Sequence, residues 1–138
     1  MAFQEFTTHR LVKSEDLNHH GTLFAGRSAE WFVEAGFVAA ASLLPPANIV
    51  CLKIHGMTFR KPANPGEIAV FRSRIVATGR TSLVAHIRVT VKEKELLNGF
   101  ITFIHVDAHG NPQPHGIQLQ PDTEEEKQIA TEAKNLPR

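Results

Sequence analysis

A chain of 138 residues, 42% of them hydrophobic, can bury one ordinary core and is too short for two typical domains. With 15 Lys+Arg against 14 Asp+Glu, no global charge pulls it toward nucleic acid or an anionic membrane, and its single cysteine, Cys51, excludes an internal disulfide framework. Its first residues lack a basic segment followed by a long apolar run, and its longest apolar stretch is interrupted by Glu30 and Glu34; neither a secretory signal nor a membrane span is expected, and the expected location is the cytoplasm.

Phe3 to Lys13 carries β-branched residues and ends in the polar run Ser14-Glu15-Asp16-Leu17-Asn18, which predicts a first strand and a loop. From about Leu23 to Leu44 the chain is rich in Ala, Leu, Phe and Trp without proline, and Pro45-Pro46 forbids continuation, so this is the one long helix. Its apolar residues cover nearly the whole circumference, the pattern of a buried helix. Four strands follow, at Asn48–Phe59, Gly66–Thr78, Thr81–Glu93 and Leu96–Asp107. The third alternates most cleanly, with Leu83, Ala85, Ile87, Val89 and Val91 on one face and Ser82, His86, Arg88, Thr90 and Lys92 on the other.

Short turns such as Thr78-Gly79-Arg80-Thr81 imply an antiparallel meander with one apolar face and one wet face. Only the hydrophobic helix is available to cover the apolar face, so the expected α+β architecture is a curved sheet of about five strands wrapped around one central helix. Residues 1–110 are expected to form this single domain. Residues 111–138 read as a polar tail whose Asp122-Thr123-Glu124-Glu125-Glu126 suits a short, peripheral and partly frayed helix to about Lys134. Uncovered sheet edges and one bare flank of the central helix favour a homodimer.

The segment Asn18-His19-His20-Gly21-Thr22-Leu23-Phe24-Ala25-Gly26 runs straight into the helix, where free backbone N–H groups can stabilise a developing oxyanion. Asn18, His20 and Thr22 supply short polar side chains there, though Asn18 could simply make a turn and Thr22 a cap. Glu34, or Glu30 one turn earlier, is a carboxylate in an apolar helix that burial would make more basic. The competing reading is that Arg27, Glu30 and Glu34 form one solvated ion-paired stripe. Adjacent His19 and His20 are a weak metal signal, and no metal site is expected. His55 reads as a partly exposed strand residue at a subunit contact, Cys51 as a small packing residue, and Arg72, Arg74, His86 and Arg88 as a solvated or subunit-contacting outer face.

Together with Glu34-Ala35-Gly36, Phe59-Arg60-Lys61-Pro62, Gly66-Glu67 and Thr78-Gly79-Arg80-Thr81-Ser82, that loop resembles the hotdog-fold acyl-CoA thioesterases in order and spacing, over roughly Thr7 to Asp107. The resemblance implies hydrolysis of a fatty-acyl or aryl thioester of coenzyme A in a homodimer or higher homo-oligomer, without a metal and with no cofactor beyond the coenzyme A of the substrate. It places the carbonyl near Thr22 to Gly26, with Glu34, Asn18 and Thr22 as catalytic candidates. His20, Gly21, Phe24, Ala25 and Gly26 would contact substrate, and Arg60, Lys61, Arg80, Thr81 and Ser82 the phosphates. The family's usual acid position falls on Val33, which can act as neither base nor nucleophile. A hotdog protein that binds a thioester or other apolar ligand without cleaving it is therefore the alternative, and a dehydratase of the same fold a third.

Overall fold

The computed structural model describes residues 1–137. Its elements are β1 (Phe6–Leu11), α1 (Ala25–Ala41), β2 (Ile49–Ile54), β3 (Ile68–Thr78), β4 (Ser82–Val91), β5 (Lys94–His105) and α2 (Glu124–Lys134), with single 3-10 turns at Ser14–Asp16 and Pro46–Asn48. All five strands lie in one antiparallel sheet in the order β1-β3-β4-β5-β2.

Only β3, β4 and β5 form the expected meander. Gly79 and Arg80 turn β3 into β4, and Lys92 and Glu93, at φ 50° and 67°, make the left-handed turn from β4 into β5. Residues 55–67 contain Pro62 and Pro65 and cannot close a tight hairpin, so β2 crosses to the far edge and pairs with β5. The predicted second strand is correspondingly cut at Ile54. Beyond it the chain still follows β5, with the His55 N–H donating to Phe100 O at 2.9 Å and the Arg60 N–H to Leu96 O at 2.7 Å.

The concave face is filled by α1. Trp31, Phe32, Ala35, Gly36, Ala39 and Ala40 pack on Phe71, Ile75, Leu83, Ala85, Ile87, Leu97, Ile101 and Phe103. Full burial of each large apolar side chain contributes about 1.5–3 kcal/mol, so this face dominates the stability. Gly36 sets the approach: a Cβ there would stand 3.1 Å from Ile87 Cδ1 and 3.2 Å from Ile101 Cδ1. The helix is not buried all round, because one curved sheet encloses only part of it. Gly26, Ala29, Glu30, Val33, Glu34 and Phe37 line an open groove along the other flank, and Val38 is exposed.

The outer face departs further from expectation. It is not uniformly wet, and α2 is not frayed against it. Val76, Ala77, Val84 and Phe100 form a second core with Ile129 and Ala133 of α2, joined by Phe3 and Leu136. Thr123 Oγ1 accepts from the Glu126 N–H at 3.1 Å while Glu126 Oε1 accepts from the Asp122 N–H at 2.8 Å, fixing the start of α2, and Glu125 pairs with Arg74 of β3. Thr90, expected in solvent, is buried under Arg72, whose Nη1 donates to its hydroxyl at 2.9 Å.

Candidate active site

The loop before α1 is closed by its own polar groups. Asn18 Oδ1 accepts from the N–H groups of His20 (2.8 Å) and Thr22 (3.2 Å), and its Nδ2 donates to Thr22 Oγ1 at 3.1 Å. Gly21 at φ 77° takes the left-handed conformation this turn needs, leaving His20 and Gly21 exposed at the tip. Asn18 thus makes the turn, but Thr22 does not cap the helix. The N-cap is Phe24, with no side-chain cap and no acid in the first turn.

The helix start is therefore open. The Ser28 N–H is used by Phe24 O at 3.1 Å, whereas the N–H groups of Ala25, Gly26 and Arg27 have no protein acceptor among the described residues. Beside them lies a cleft of about 340 Å³ lined by Asn18, Thr22, Ala25, Ser28, Arg60 and Lys61, with Phe59, Pro62 and Leu96 as apolar wall. An anion or a polarised carbonyl oxygen is the chemistry that unsatisfied N–H groups at a positive helix end accommodate.

Asp16 anchors this geometry and was not singled out from the sequence. Its carboxylate is 3% exposed, accepts from the Lys13 N–H at 3.0 Å, and sits 3.5 Å from Lys13 Nζ and 3.4 Å from Arg27 Nε in the first turn of α1. Its backbone oxygen accepts from the Phe24 N–H at 2.8 Å. The Lys13 N–H bond, with the Lys13 and Arg27 charges, holds its carboxyl below the ordinary value against the opposing effect of burial. Ser-Glu-Asp reads locally as a solvent loop, and no nearby residue signals that the third member turns inward.

The remaining candidates lie elsewhere in the chain. Phe24 turns away from the cleft and lays its ring over Gly26, where a Cβ would meet Cε2 at 2.5 Å. Glu34 is not buried: its side chain is 60% exposed on the open flank and ion-paired with Arg10 of β1. The solvated-stripe reading holds in part, since Arg27 pairs with Glu30 at 3.6 Å, but Glu34 looks to Arg10 instead. Arg80, Thr81 and Ser82 sit at the opposite end of the sheet. The His105 N–H donates to Thr81 O there, whereas Arg60 bonds Leu96; nine residues of strand separate those points by about 30 Å.

That far end holds a second cleft of about 560 Å³, lined by Lys53, His55, Thr78, Arg80, Ser82 and Lys134 among others. His55 Nε2 lies 2.7 Å from Thr102 Oγ1, and burial, then Lys53, lowers its pKa. Cys51 is exposed on the edge strand rather than packed, and burial nevertheless pushes its thiol up.

The family model for the thioesterase superfamily matches residues 20–97, from this loop through the start of β5. The chain belongs to the thioesterase superfamily. It is 25% identical over 126 residues to the acyl-CoA thioester hydrolase YciA of Salmonella typhimurium, covering 83% of this chain and 92% of that protein. An apo-hexameric acyl-CoA thioesterase superposes with a TM-score of 0.87 at 29% identity, covering 94% of this chain and 86% of that one. The acyl-CoA hydrolase of Staphylococcus aureus, solved with butyryl coenzyme A, coenzyme A and coenzyme A disulfide, superposes at 0.83 with 23% identity, covering 94% and 79%, and attests the fold alone. The architecture is the hotdog fold of thioesterases. No helix among the described residues is long and apolar enough to cross a membrane.

Proposed function

We propose that this thioesterase-superfamily protein hydrolyses an acyl-CoA thioester at the start of α1. The observation that carries the reading is the uncapped helix end, whose first turn lines, through Ala25 and Ser28, the cleft bearing Asn18, Thr22, Arg60 and Lys61. A thioester carbonyl seated there accepts from the N–H groups of Ala25 to Arg27, and its developing negative charge meets the positive end of the helix; one such donor is worth about 10²–10³ in rate. Arg60 and Lys61 on the rim are suited to the phosphates of coenzyme A.

Glu34 is the proposed acid. It deprotonates a water that attacks the thioester carbon, the coenzyme A thiolate departing and taking up that proton, or it attacks directly, expelling the thiolate and leaving a mixed anhydride that water then hydrolyses. Eight residues separate it from Gly26, about 12 Å along the helix, too far for both to address one carbon in the same chain. The proposed site is therefore shared by two copies, the helix start of one and Glu34 of the other. Two exposed features support such pairing: the edge strand β2, with Val50, Leu52 and Ile54 at 45%, 64% and 40% exposure, and the groove through Val33, Glu34 and Phe37. Replacing Glu34 with Gln is expected to lower kcat by about 10²–10⁴ in a free-thiol assay with unchanged melting behaviour; unchanged turnover would remove Glu34 from the mechanism.

One observation favours a second reading. Glu34 is engaged by Arg10, and its neighbour on the groove is the apolar Val33, an arrangement that suits holding an acyl thioester without cleaving it. Wild-type protein that binds acyl-CoA by calorimetry yet releases no thiol across short, long and aromatic acyl groups would establish that reading.

A further inference from the structure

The mouth of the cleft continues onto the outer face of the sheet as a band of positive charge. Arg60 of the cleft rim and Arg88 of β4 converge on a single carboxylate, with Arg60 Nε 3.0 Å from Glu95 Oε2 and Arg88 Nε 3.3 Å from Glu95 Oε1. Arg72 stands directly opposite Arg88 across the β3–β4 pair, and its Nη1 reaches Thr90, the cross-strand partner of Glu95. Two guanidinium groups thus share one carboxylate, and the third, Arg72, is held by a hydroxyl instead. Lys61 on the rim and Lys92 and Lys94 at the adjoining hairpin add charge, against Glu93.

The chain as a whole carries only +1, so this end is strongly positive at the expense of the rest. Two like charges placed opposite each other across an antiparallel pair are destabilising by themselves, and among the described residues Glu95, through Arg88, is the one acid ion-paired with either. Beyond Arg60, which lines the cleft, the band lies on open sheet surface, with the Arg60 and Arg88 side chains 58% and 46% exposed. An open row of arginines spread over neighbouring strands suits an extended acidic surface better than one small anion, and a field of this kind raises association rates with acidic partners.

We infer that the band Arg60–Arg88–Arg72 docks an acidic carrier protein that presents its acyl thioester to the helix-start cleft. The inference rests on the proposed thioesterase reading of that cleft. Its partner is defined by chemistry: a protein with a negatively charged surface bearing the acyl group on a pantetheine arm.

The test compares one acyl group on three carriers: a phosphopantetheinylated acidic acyl carrier protein, coenzyme A, and N-acetylcysteamine. The doubly substituted Arg72→Gln, Arg88→Gln protein is expected to lose about tenfold or more in kcat/KM for the carrier-protein substrate at low salt, with coenzyme A and N-acetylcysteamine substrates changed by less than about threefold. The wild-type preference for the carrier-protein substrate should fall steeply with ionic strength, and Arg72→Lys, Arg88→Lys should restore most of it. Equal losses for the coenzyme A substrate would mean that the band reads nucleotide phosphates, and no loss would make it a solvated face; either result overturns the inference. If the wild type cleaves none of the three, the thioesterase reading fails by itself, and direct titration with the acylated carrier protein still decides the docking: salt-sensitive binding lost in the glutamine protein supports it, and absence of binding refutes it.

Discussion

His86 lies on the outer face, its ring 4.9 Å from that of Phe100 and beside Arg74 and Asn98. Burial, then the Arg74 charge, lowers its pKa from 6.5 to about 4, against weaker opposing effects of Asn98, Glu125 and Glu95. A depressed histidine stabilises the fold fully above its unfolded value, and that stabilisation is lost as pH falls through 6.5 toward 4. Between pH 7 and pH 5 the loss attributable to this one group is about 2 kcal/mol, approaching about 3 kcal/mol near pH 4. Because the ring packs against Phe100 of the second core, protonation there should loosen that core first. The assay is urea unfolding at pH 7, 6 and 5 for the wild type and for His86→Gln, since the difference between their slopes cancels His55 and the exposed histidines. Glu125, held below 4.5 chiefly by its bond from Arg74, contributes nothing in this window. Parallel pH dependences for the two proteins would refute the burial argument.

Further expectations follow from other contacts. In Gly99→Ala the new Cβ would stand 2.8 Å from Gly56 O and 3.1 Å from Phe32 Cζ, so thermal denaturation should show a loss of about 1–3 kcal/mol. Ile129→Ala should cost about 2 kcal/mol or more in urea unfolding and expose the amides of β3 beneath α2 to hydrogen exchange; an unaffected protein would return α2 to the status of a frayed tail. Asn18→Ala removes the acceptor that closes the loop on His20 and Thr22, and kcat/KM for an acyl-CoA is expected to fall by about tenfold or more, with KM rising less than kcat falls.

Much of the architecture was legible because local chemistry and global fold agree. Pro45-Pro46 ended α1 within a few residues of its observed limit, and the alternation from Leu83 to Val91 identified the core face of β4. The far placement of β2 was not legible, since a pairing partner dozens of residues away leaves no local trace and only the prolines of 55–67 hint that the hairpin fails. Nor was the packing of α2, whose Ile129, Ala130 and Ala133 give a sparse apolar stripe that looks weak until Phe100 and Val76 face it. At the site, the sequence placed Asn18, Thr22, Ala25, Arg60 and Lys61 at one cleft. It misjudged the burial of Glu34, because surrounding apolar residues suggested an enclosed carboxylate while the sheet was too narrow to cover that flank, and Arg10 waited on β1 to pair with it. Basic turns look alike in sequence, so the separation of Arg80 from Arg60 required the strand order.

A crystal structure with a non-hydrolysable acyl-CoA analogue tests the central claim most directly. The account predicts the carbonyl oxygen within hydrogen-bond distance of the N–H groups of Ala25 to Arg27, beside Asn18, with Glu34 of a second copy facing the carbonyl carbon. An analogue whose carbonyl lies in the cleft beside Arg80 and His55, with those N–H groups untouched, would contradict it.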